Sequence, residues 1–234
     1  KILEPNYLFY LQLQIQDLGK EEQSNTSPEE KSQTTSSHNN TTSPDDPYFS
    51  DQWSLASVLG EKFSLFTVNN SDSGQAGMTT IIALIDTGVD TTHEDLQGQF
   101  WTNDTCVDEN GESIEGGCPN GGWDFVDHDD NPFATDYTHG TAIAGILNAK
   151  TNNDIGISSL GNILSNKENQ IMSLRTCCTV GGYFESEKIV DAIHFAVNNH
   201  ADIITMSFGG PSFSQHIQEA IAEAEEKGIL VVAA

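Results

Sequence analysis

Two side chains in the sequence are placed where open α/β sheets hold catalytic groups. Asp86 directly follows Ile81–Ile85, a short apolar run whose composition and turn boundary predict a strand buried on both faces. Ligands bind at the carboxyl ends of strands in such sheets, so a carboxylate at this point is a candidate for chemistry. The alternative is an Asp that only caps the turn at Thr87–Gly88 or the next helix.

The second side chain is His139, which lies in the segment DYTHGTAIAGI. Its small neighbours allow a helix to start at once and to pack close to the sheet. A His on the first turn of a helix usually caps it or contacts solvent, but it acts as a general base when a carboxylate orients one ring nitrogen. Asp86 is the available carboxylate, and the pair forms two members of a nucleophilic triad in the order Asp, His, Ser.

Alternating strands and helices would position this pair. The predicted strands are Ile81–Ile85, Ile171–Arg175, Asp202–Phe208 and Ile229–Ala234. The predicted helices are Thr141–Ala149, Ser186–Asn199 and Ser214–Lys227, the last with Gly228 as its C-cap. This alternation predicts an α/β fold with a doubly wound, mostly parallel sheet and helices on both faces.

The charge balance limits the partners of the chain. The net charge is −26, with only 9 Lys and Arg among 234 residues. Nucleic acids and anionic membrane surfaces need a basic footprint, so neither is an expected partner. No apolar run is long enough to span a bilayer. The acidity suits calcium binding or solubility in high salt.

The N-terminal part differs in composition from the rest. Residues 1–18 are apolar and strand-prone, whereas Gly19–Asp45 is rich in Ser, Thr, Asn, Glu and Gln and lacks aromatic and large aliphatic residues. Such a stretch cannot bury enough surface to offset its ordering entropy, and it is predicted to be a disordered, protease-accessible linker. A globular domain is expected to begin at Asp46.

Four segments carry a family resemblance. IDTGVDTTHEDL, HGTAIAGI, ADIITMSFGG and GILVVAA resemble, in the same order, motifs of the subtilisin-like serine peptidases, or subtilases. The resemblance covers roughly Asp46–Ala234. It implies the subtilisin-like fold and a secreted or cell-surface serine endopeptidase that acts on polypeptides, expected as a monomer.

The opening LEPNYLFYL is similar to the last strand of a subtilase propeptide. Residues 1–18 are therefore expected to end a propeptide that inhibits the enzyme intramolecularly. The linker at residues 19–45 would contain the processing site.

The resemblance also implies roles for single residues. Asp86 would orient His139, which would be the general base and later the general acid. An extended substrate would be held by strand addition between two edges, formed by Ser207, Phe208, Gly209 and Gly210 on one side and by Gly181, Gly182 and Tyr183 on the other. Without the resemblance, the Gly pairs indicate only turns.

The sequence departs from the family pattern in several places. Thr138 stands where the family usually has Gly, Ala142 where a second His is common, and Glu94 where Pro is usual. The nucleophilic Ser and the oxyanion-hole Asn of the family lie beyond the position that matches Ala234. As written, the chain is expected not to turn over substrate by itself.

An acidic loop is the first candidate calcium site. Asp124, Asp127 and Asp129 crowd into WDFVDHDDNP, and the spacing does not match an EF-hand because Pro132 occupies its Gly position. The family resemblance suggests a calcium loop, since uncompensated like charges so close together repel each other. The alternative is a solvated acidic loop.

A second calcium site, bringing the expected number of ions to one or two, is implied by register with calcium-dependent subtilases. Its ligands would be the side chains of Asp46, Asp95 and Asn153 and the carbonyl groups of Lys150, Ile155 and Ile157. The alternative is an ordinary Asn/Asp turn.

The four cysteines form two pairs in the sequence. Cys106 and Cys118 flank a Gly-rich acidic loop that a disulfide could close, which fits a secreted enzyme. Cys177 and Cys178 are adjacent and fit no metal spacing. They form either a vicinal disulfide or two reduced thiols.

Two other functions compete with a serine endopeptidase. A subtilase-like protein without the nucleophile would only bind peptides in its groove. A doubly wound binding domain with calcium-rich loops would have no peptidase ancestry, and Asp86 and His139 would then lie apart.

Overall fold

The computed structural model describes residues 43–59, 79–133, 138–164, 168–178 and 184–234. Within these ranges, parallel strands form one sheet with the order β2-β3-β1-β4-β5. The strands are β1 (Thr80–Asp86), β2 (Gly122–Asp124), β3 (Asn169–Arg175), β4 (Ile203–Met206) and β5 (Leu230–Ala233). The predictions for residues 1–18 and for most of 19–45 lie outside the described residues.

Helices cover both faces of the sheet. They are α1 (Trp53–Leu59), α2 (His139–Asn148), α3 (Leu160–Leu164), α4 (Ser186–Asn198) and α5 (Gln215–Glu226), with short 3₁₀ helices at Phe49–Asp51 and Glu94–Leu96. This arrangement confirms the predicted α/β fold. Within the described ranges, no helix has the length and apolar character needed to cross a membrane.

Ile81–Ile85 of strand β1 are all apolar because both faces of the strand pack against other residues. Ile82 and Leu84 pack in a cluster with Ala144 of α2. Ala83 and Ile85 belong to the larger cluster on the opposite face, which includes buried residues of α4 and α5. Side chains alternate between the two faces of a strand, so the face that carries Ile82 and Leu84 next presents Asp86 at the end of the strand.

The predicted elements are found with bounds shifted by one or two residues. Helix α2 begins at His139 rather than at Thr141, so the histidine is itself the first helical residue. Helix α5 is preceded by Ser214, whose hydroxyl accepts the Ile217 N–H as an N-cap. Strand β2 was not predicted, because its three residues have no apolar pattern and join the sheet through pairing with β3.

The segment that starts near Asp46 packs on the main domain. The Tyr48 N–H donates to the Gly156 carbonyl at 3.1 Å. The Gln52 side chain forms two hydrogen bonds of 2.8 Å with the backbone of Ser158. These contacts fix the described start of the chain against the loop that follows α2.

Candidate active site

Asp86 and His139 meet at the carboxyl end of the sheet. Nδ1 of His139 lies 2.8 Å from Oδ1 and 3.0 Å from Oδ2 of Asp86. The carboxylate is 1% exposed, while the histidine side chain is 45% exposed. A carboxylate at the end of β1 and an imidazole at the start of α2 are thus in direct contact, as the sequence predicted.

The contact determines which ring nitrogen is free. An ionised carboxylate only accepts hydrogen bonds, so Nδ1 of His139 carries the proton and Nε2 has its lone pair available. The hydrogen bond to Asp86 raises the pKa of His139 above its ordinary value, although burial alone would lower it. The histidine is therefore a stronger base than a free imidazole, and its side chain is partly exposed.

Short backbone contacts hold the two elements together. The Thr87 N–H donates to Oδ1 of Asp86 at 2.6 Å, and the Thr87 hydroxyl accepts the Gly140 N–H at 3.0 Å. A Cβ on Gly140 would lie only 2.3 Å from the Gly88 carbonyl oxygen. Glycine at position 140 therefore allows α2 to approach the end of β1 closely enough for the Asp86–His139 contact.

The candidate substrate edge on one side follows β4. Gly209 and Gly210 are exposed, and a Cβ built on either would meet nothing within 4 Å. The Phe208 ring stacks on Phe184 with ring centroids 4.0 Å apart. The residues of the other predicted edge, Gly181, Gly182 and Tyr183, lie outside the described residues.

The residues of the second candidate calcium site lie together. Asp46 and Asp95 are 4% and 3% exposed. Asp46 accepts the N–H groups of Asn152 and Asn153, at 3.1 and 3.2 Å. Asp95 accepts the Asn153 side-chain amide and the Ile157 N–H, both at 3.0 Å. Two buried carboxylates therefore surround one loop.

The donor atoms at this loop suit a hard cation. Among the described residues, no three His, Cys, Asp or Glu side chains come together as a metal-binding group. The remaining ligands would therefore be the amide oxygen of Asn153 and backbone carbonyls at Lys150, Ile155 and Ile157. Carboxylate, amide and carbonyl oxygens are the donors that Ca²⁺ takes, and they fit that ion better than a transition metal.

Two carboxylates of the first candidate calcium site are compensated by a positive charge, which differs from the uncompensated repulsion expected from the sequence. The Arg175 guanidinium donates from one nitrogen to Asp124 at 2.5 Å and to Asp127 at 2.7 Å. Asp129 instead accepts the Asn131 N–H at 3.0 Å. From the sequence, repulsion between Asp124 and Asp127 was expected to favour a bound Ca²⁺. In the structure, the positive charge of Arg175 offsets that repulsion. Charge density in this loop therefore gives no reason to place calcium there.

Burial still affects the charge of Asp124. Desolvation raises the pKa of its carboxyl, partly offset by hydrogen bonds from the Asp127 N–H, Arg175 and the Val126 N–H. For Arg175, burial alone would lower the pKa, but its hydrogen bonds to Asp124 and Asp127 raise it on balance. The guanidinium and the two carboxylates form one hydrogen-bonded cluster.

Both cysteine pairs are disulfide-bonded in the structure. Cys106 and Cys118 are fully buried and close the acidic loop. Asn199 fastens the start of that loop to the end of α4 through both its side-chain oxygen and nitrogen, which bond to the backbone of Val107. Cys177 and Cys178 are joined to each other, and the structure thus contains the first of the two alternatives for this pair.

Sequence reasoning did not identify Arg175. It is the single arginine of the chain, and it ends a predicted buried strand. Its position at the end of a buried strand could have indicated a role, because a charged side chain there needs partners of opposite charge. Of its partners, Asp124 ends strand β2, which the sequence pattern did not predict, and Asp127 follows that strand by three residues.

Comparisons with known proteins give one consistent family. A sequence profile described as Subtilase family matches residues 77–234. The "Thermophilic serine proteinase" of Bacillus sp. (strain AK1) is 34% identical over 167 residues, covering 71% of this chain and 34% of that protein. "Thermitase" of Thermoactinomyces vulgaris is 30% identical over 204 residues, covering 82% of this chain and 57% of that protein.

A solved structure is similar in fold. Fervidolysin from Fervidobacterium pennivorans, described as a keratinolytic enzyme related to subtilisin, matches with a TM-score of 0.50 and 27% identity. The match covers 66% of this chain and 21% of that one. The chain thus spans between 34% and 57% of the length of the two curated relatives.

Proposed function

Because the chain belongs to the subtilase family, we propose that the complete protein is a serine endopeptidase that hydrolyses peptide bonds in polypeptide substrates. The observation that carries the proposal is the contact between the buried Asp86 carboxylate and Nδ1 of His139 at 2.8 Å. Two relatives, named as a serine proteinase and as thermitase, support the same class of reaction. The third member of the triad is a serine in the remainder of the protein, where the family carries its nucleophile.

The mechanism assigns one task to each residue of the pair. Nε2 of His139 takes the proton of the serine hydroxyl as the oxygen attacks the scissile carbonyl carbon. Asp86 stabilises the resulting imidazolium and keeps the ring in the orientation that points Nε2 towards the serine. The imidazolium then gives its proton to the leaving amine, and a water molecule repeats the cycle on the acyl-enzyme.

Substrate binding is proposed between two extended edges. Ser207, Phe208, Gly209 and Gly210 form one edge, and Gly181, Gly182 and Tyr183 form the other. What supports the first edge is the open space above Gly209 and Gly210, where a substrate backbone can approach without meeting a side chain. Main-chain hydrogen bonds to both edges would hold the peptide extended, with little dependence on its sequence.

Calcium binding is proposed at the loop after α2, while a second ion at Asp124, Asp127 and Asp129 stays a prediction from the sequence. Asp46, Asp95 and Asn153, with the carbonyls of Lys150, Ile155 and Ile157, would hold one Ca²⁺. Two nearly fully buried carboxylates on one loop support this assignment, because buried charges in proteins are normally paired or coordinate a metal. The ion would supply positive charge that neutralises this pair and fixes the start of the domain.

Processing and location are proposed from the sequence pattern. Residues 1–18 would end a propeptide that acts as an intramolecular inhibitor, and cleavage would occur in the linker before the domain that starts at Asp46. N-terminal sequencing of the active protein tests the processing step directly, and a start upstream of residue 1 would contradict it.

Location outside the cell or on its surface is supported by two disulfides, which persist in oxidising compartments. A monomer is proposed.

The test of the activity uses the complete mature protein. We expect it to cleave an unfolded protein substrate and to be labelled covalently by a fluorophosphonate, a reagent that reacts with activated serines. His139→Ala is expected to lower kcat by a factor on the order of 10⁴ or more and to abolish rapid labelling, because the serine loses its base.

The controls separate the competing functions. His194→Ala removes a histidine on α4 that contacts Glu223 rather than the pair, and it is expected to keep the wild-type rate. A wild-type protein that binds peptides without cleaving them or reacting with the fluorophosphonate would establish the non-catalytic alternative. Near-wild-type turnover by His139→Ala would contradict the mechanism.

A further inference from the structure

Arg175 occupies a position between two buried carboxylates. It is the last residue of β3, in register with Asp86 on β1 and with Asp124 on β2. Residues in register on neighbouring strands project from the same face of the sheet. The sole arginine of the chain therefore shares its face with the catalytic carboxylate on one side and with Asp124 on the other.

The guanidinium is bound on the side away from the catalytic pair. Its NH1 nitrogen donates to both Asp124 and Asp127. Among the described residues, it forms no hydrogen bond with Asp86, whose side-chain oxygens accept from Thr87 and His139. The guanidinium thus pairs with Asp124 and Asp127 and not with Asp86.

Asp86 is within reach of the same side chain. Adjacent strands lie about 4.8 Å apart, a distance that the long arginine side chain spans easily. An arginine also forms its strongest pairs with carboxylates through two parallel hydrogen bonds. The Nε atom of Arg175 is buried and has no hydrogen-bond partner in the described part of the chain. In a second arrangement, the guanidinium would bind Asp86 instead. The Asp86 carboxylate would then accept hydrogen bonds from Arg175 nitrogens that do not bond Asp124 or Asp127.

We propose that Asp124 and Asp127 are positioning residues that hold Arg175 away from Asp86 and so keep Asp86 available for His139. This inference rests on the proposed function, because it concerns the same catalytic pair. A guanidinium on Asp86 would compete with Nδ1 of His139 for the same oxygens. It would also place a positive charge where the imidazolium has to form, which opposes proton transfer to His139.

The decisive experiment combines loss with rescue in the complete mature protein. Asp124→Asn/Asp127→Asn keeps the shape of both side chains and removes their charge. We expect kcat to fall roughly tenfold or more with little change in KM, because a displaced base slows the chemical step rather than binding. Adding Arg175→Met to the double variant removes the competing cation, and we expect most of the lost kcat to return.

A spectroscopic readout follows the contact without turnover. The proton shared between Nδ1 of His139 and Asp86 gives a low-field NMR resonance, expected in the wild type, weakened in the double variant and restored in the triple variant. Asp130→Asn serves as the control, since Asp130 belongs to the same loop but accepts from Asn120 instead of Arg175. It is expected to leave both kcat and the resonance unchanged.

The outcomes separate this inference from the proposed function. A wild-type protein without peptidase activity refutes the proposed function, while the resonance still tests the arrangement of Arg175. A wild-type resonance and kcat in the double variant would overturn the inference, as would a loss that Arg175→Met does not rescue. Should the double variant fail to fold, Asp127→Asn alone removes the more exposed of the two anchors. We expect it to weaken the resonance and lower kcat by a smaller factor, and no change in either would overturn the inference.

Discussion

At the scale of single residues, burial gives Asp86 its effect on His139. The carboxylate is 1% exposed and lies next to an imidazole that is partly open to solvent. In such surroundings a hydrogen bond to a charged group is stronger than in water, because less water screens it. The partners of Asp86, the Thr87 N–H and Nδ1 of His139, are both donors, and the hydrogen bond to Asp86 raises the pKa of His139.

The pH dependence of activity tests this arrangement. A general base has to be neutral before it takes a proton, so the raised pKa of His139 places the acid limb of kcat/KM above about pH 6.5, the ordinary value for histidine. Asp86→Asn removes the hydrogen bond to a charged group and leaves the effect of burial, which lowers the pKa. We expect the midpoint of the acid limb to move to lower pH and kcat to fall on the order of 10⁴-fold.

A charge-matched control accompanies that measurement. Asp90→Asn removes a carboxylate from the same loop, where the side chain accepts from Thr92 and does not contact His139. Its midpoint is expected to stay near that of the wild type. An unchanged or higher midpoint in Asp86→Asn would mean that Asp86 does not set the basicity of His139.

At the scale of secondary-structure elements, the site depends on how closely α2 approaches the end of β1. Both ends of this contact are fixed through the backbone, by the Gly140 N–H on the Thr87 hydroxyl and by the Asp90 N–H on the Thr141 hydroxyl at 2.9 Å. The helix therefore has little freedom to shift along the strand. A residue that forces it outward changes the distance between the base and its carboxylate.

Two glycines on the same helix provide a matched test of this approach. In Gly140→Ala the new Cβ would lie 2.3 Å from the Gly88 carbonyl oxygen, so the helix has to move. We expect a loss of roughly 1–3 kcal/mol in the free energy of unfolding and a lower kcat. In Gly145→Ala the Cβ would meet Ile157 at an ordinary 3.6 Å. That variant is expected to gain stability, by about 0.5–1 kcal/mol, and to keep its activity. Thermal melts and kcat of the two variants check both expectations, and equal effects would contradict the close approach.

The same scale explains what the sequence could and could not predict. Strand β1 and helices α4 and α5 were predicted because their apolar patterns are strong and local. Strand β2 was missed, since Gly122–Asp124 has no such pattern and its place depends on pairing with a strand far along the chain. The expectation of uncompensated charge at Asp124 and Asp127 follows from that omission. Counting charges within one loop does not reveal that Arg175 pairs with both.

At the scale of the whole molecule, the proposed calcium site connects distant parts of the chain. Asp46 lies near the described start of the domain, and its oxygens accept N–H groups from the loop at Asn152 and Asn153. The Ser158 hydroxyl also donates to Asp46. Asp95 approaches the same loop from the segment after β1. An ion among these groups would therefore connect the start of the domain, the region after β1 and the loop after α2.

Removal of calcium should then loosen the N-terminal segment. An ion that binds only the folded state stabilises it by about 2.7 kcal/mol when its concentration is about a hundredfold above Kd. For a domain of this size, we expect a chelator to lower Tm by about 5–10 °C. The segment around residues 46–59 should also become sensitive to an added protease. Melts with excess chelator and with added Ca²⁺, on protein inactivated by a fluorophosphonate to prevent autolysis, measure the effect.

Neighbouring aspartates give this experiment its control. Asp46→Asn removes a buried ligand and is expected to lower Tm and to abolish the difference between the two melts. Asp45→Asn changes an exposed residue whose side chain accepts the Asp154 N–H at 3.3 Å, so it should retain the calcium response. If the wild-type melts with chelator and with Ca²⁺ coincide, the buried carboxylates Asp46 and Asp95 are held by their N–H and hydroxyl donors without an ion. The loop after α2 then fastens the start of the domain through hydrogen bonds, without an ion.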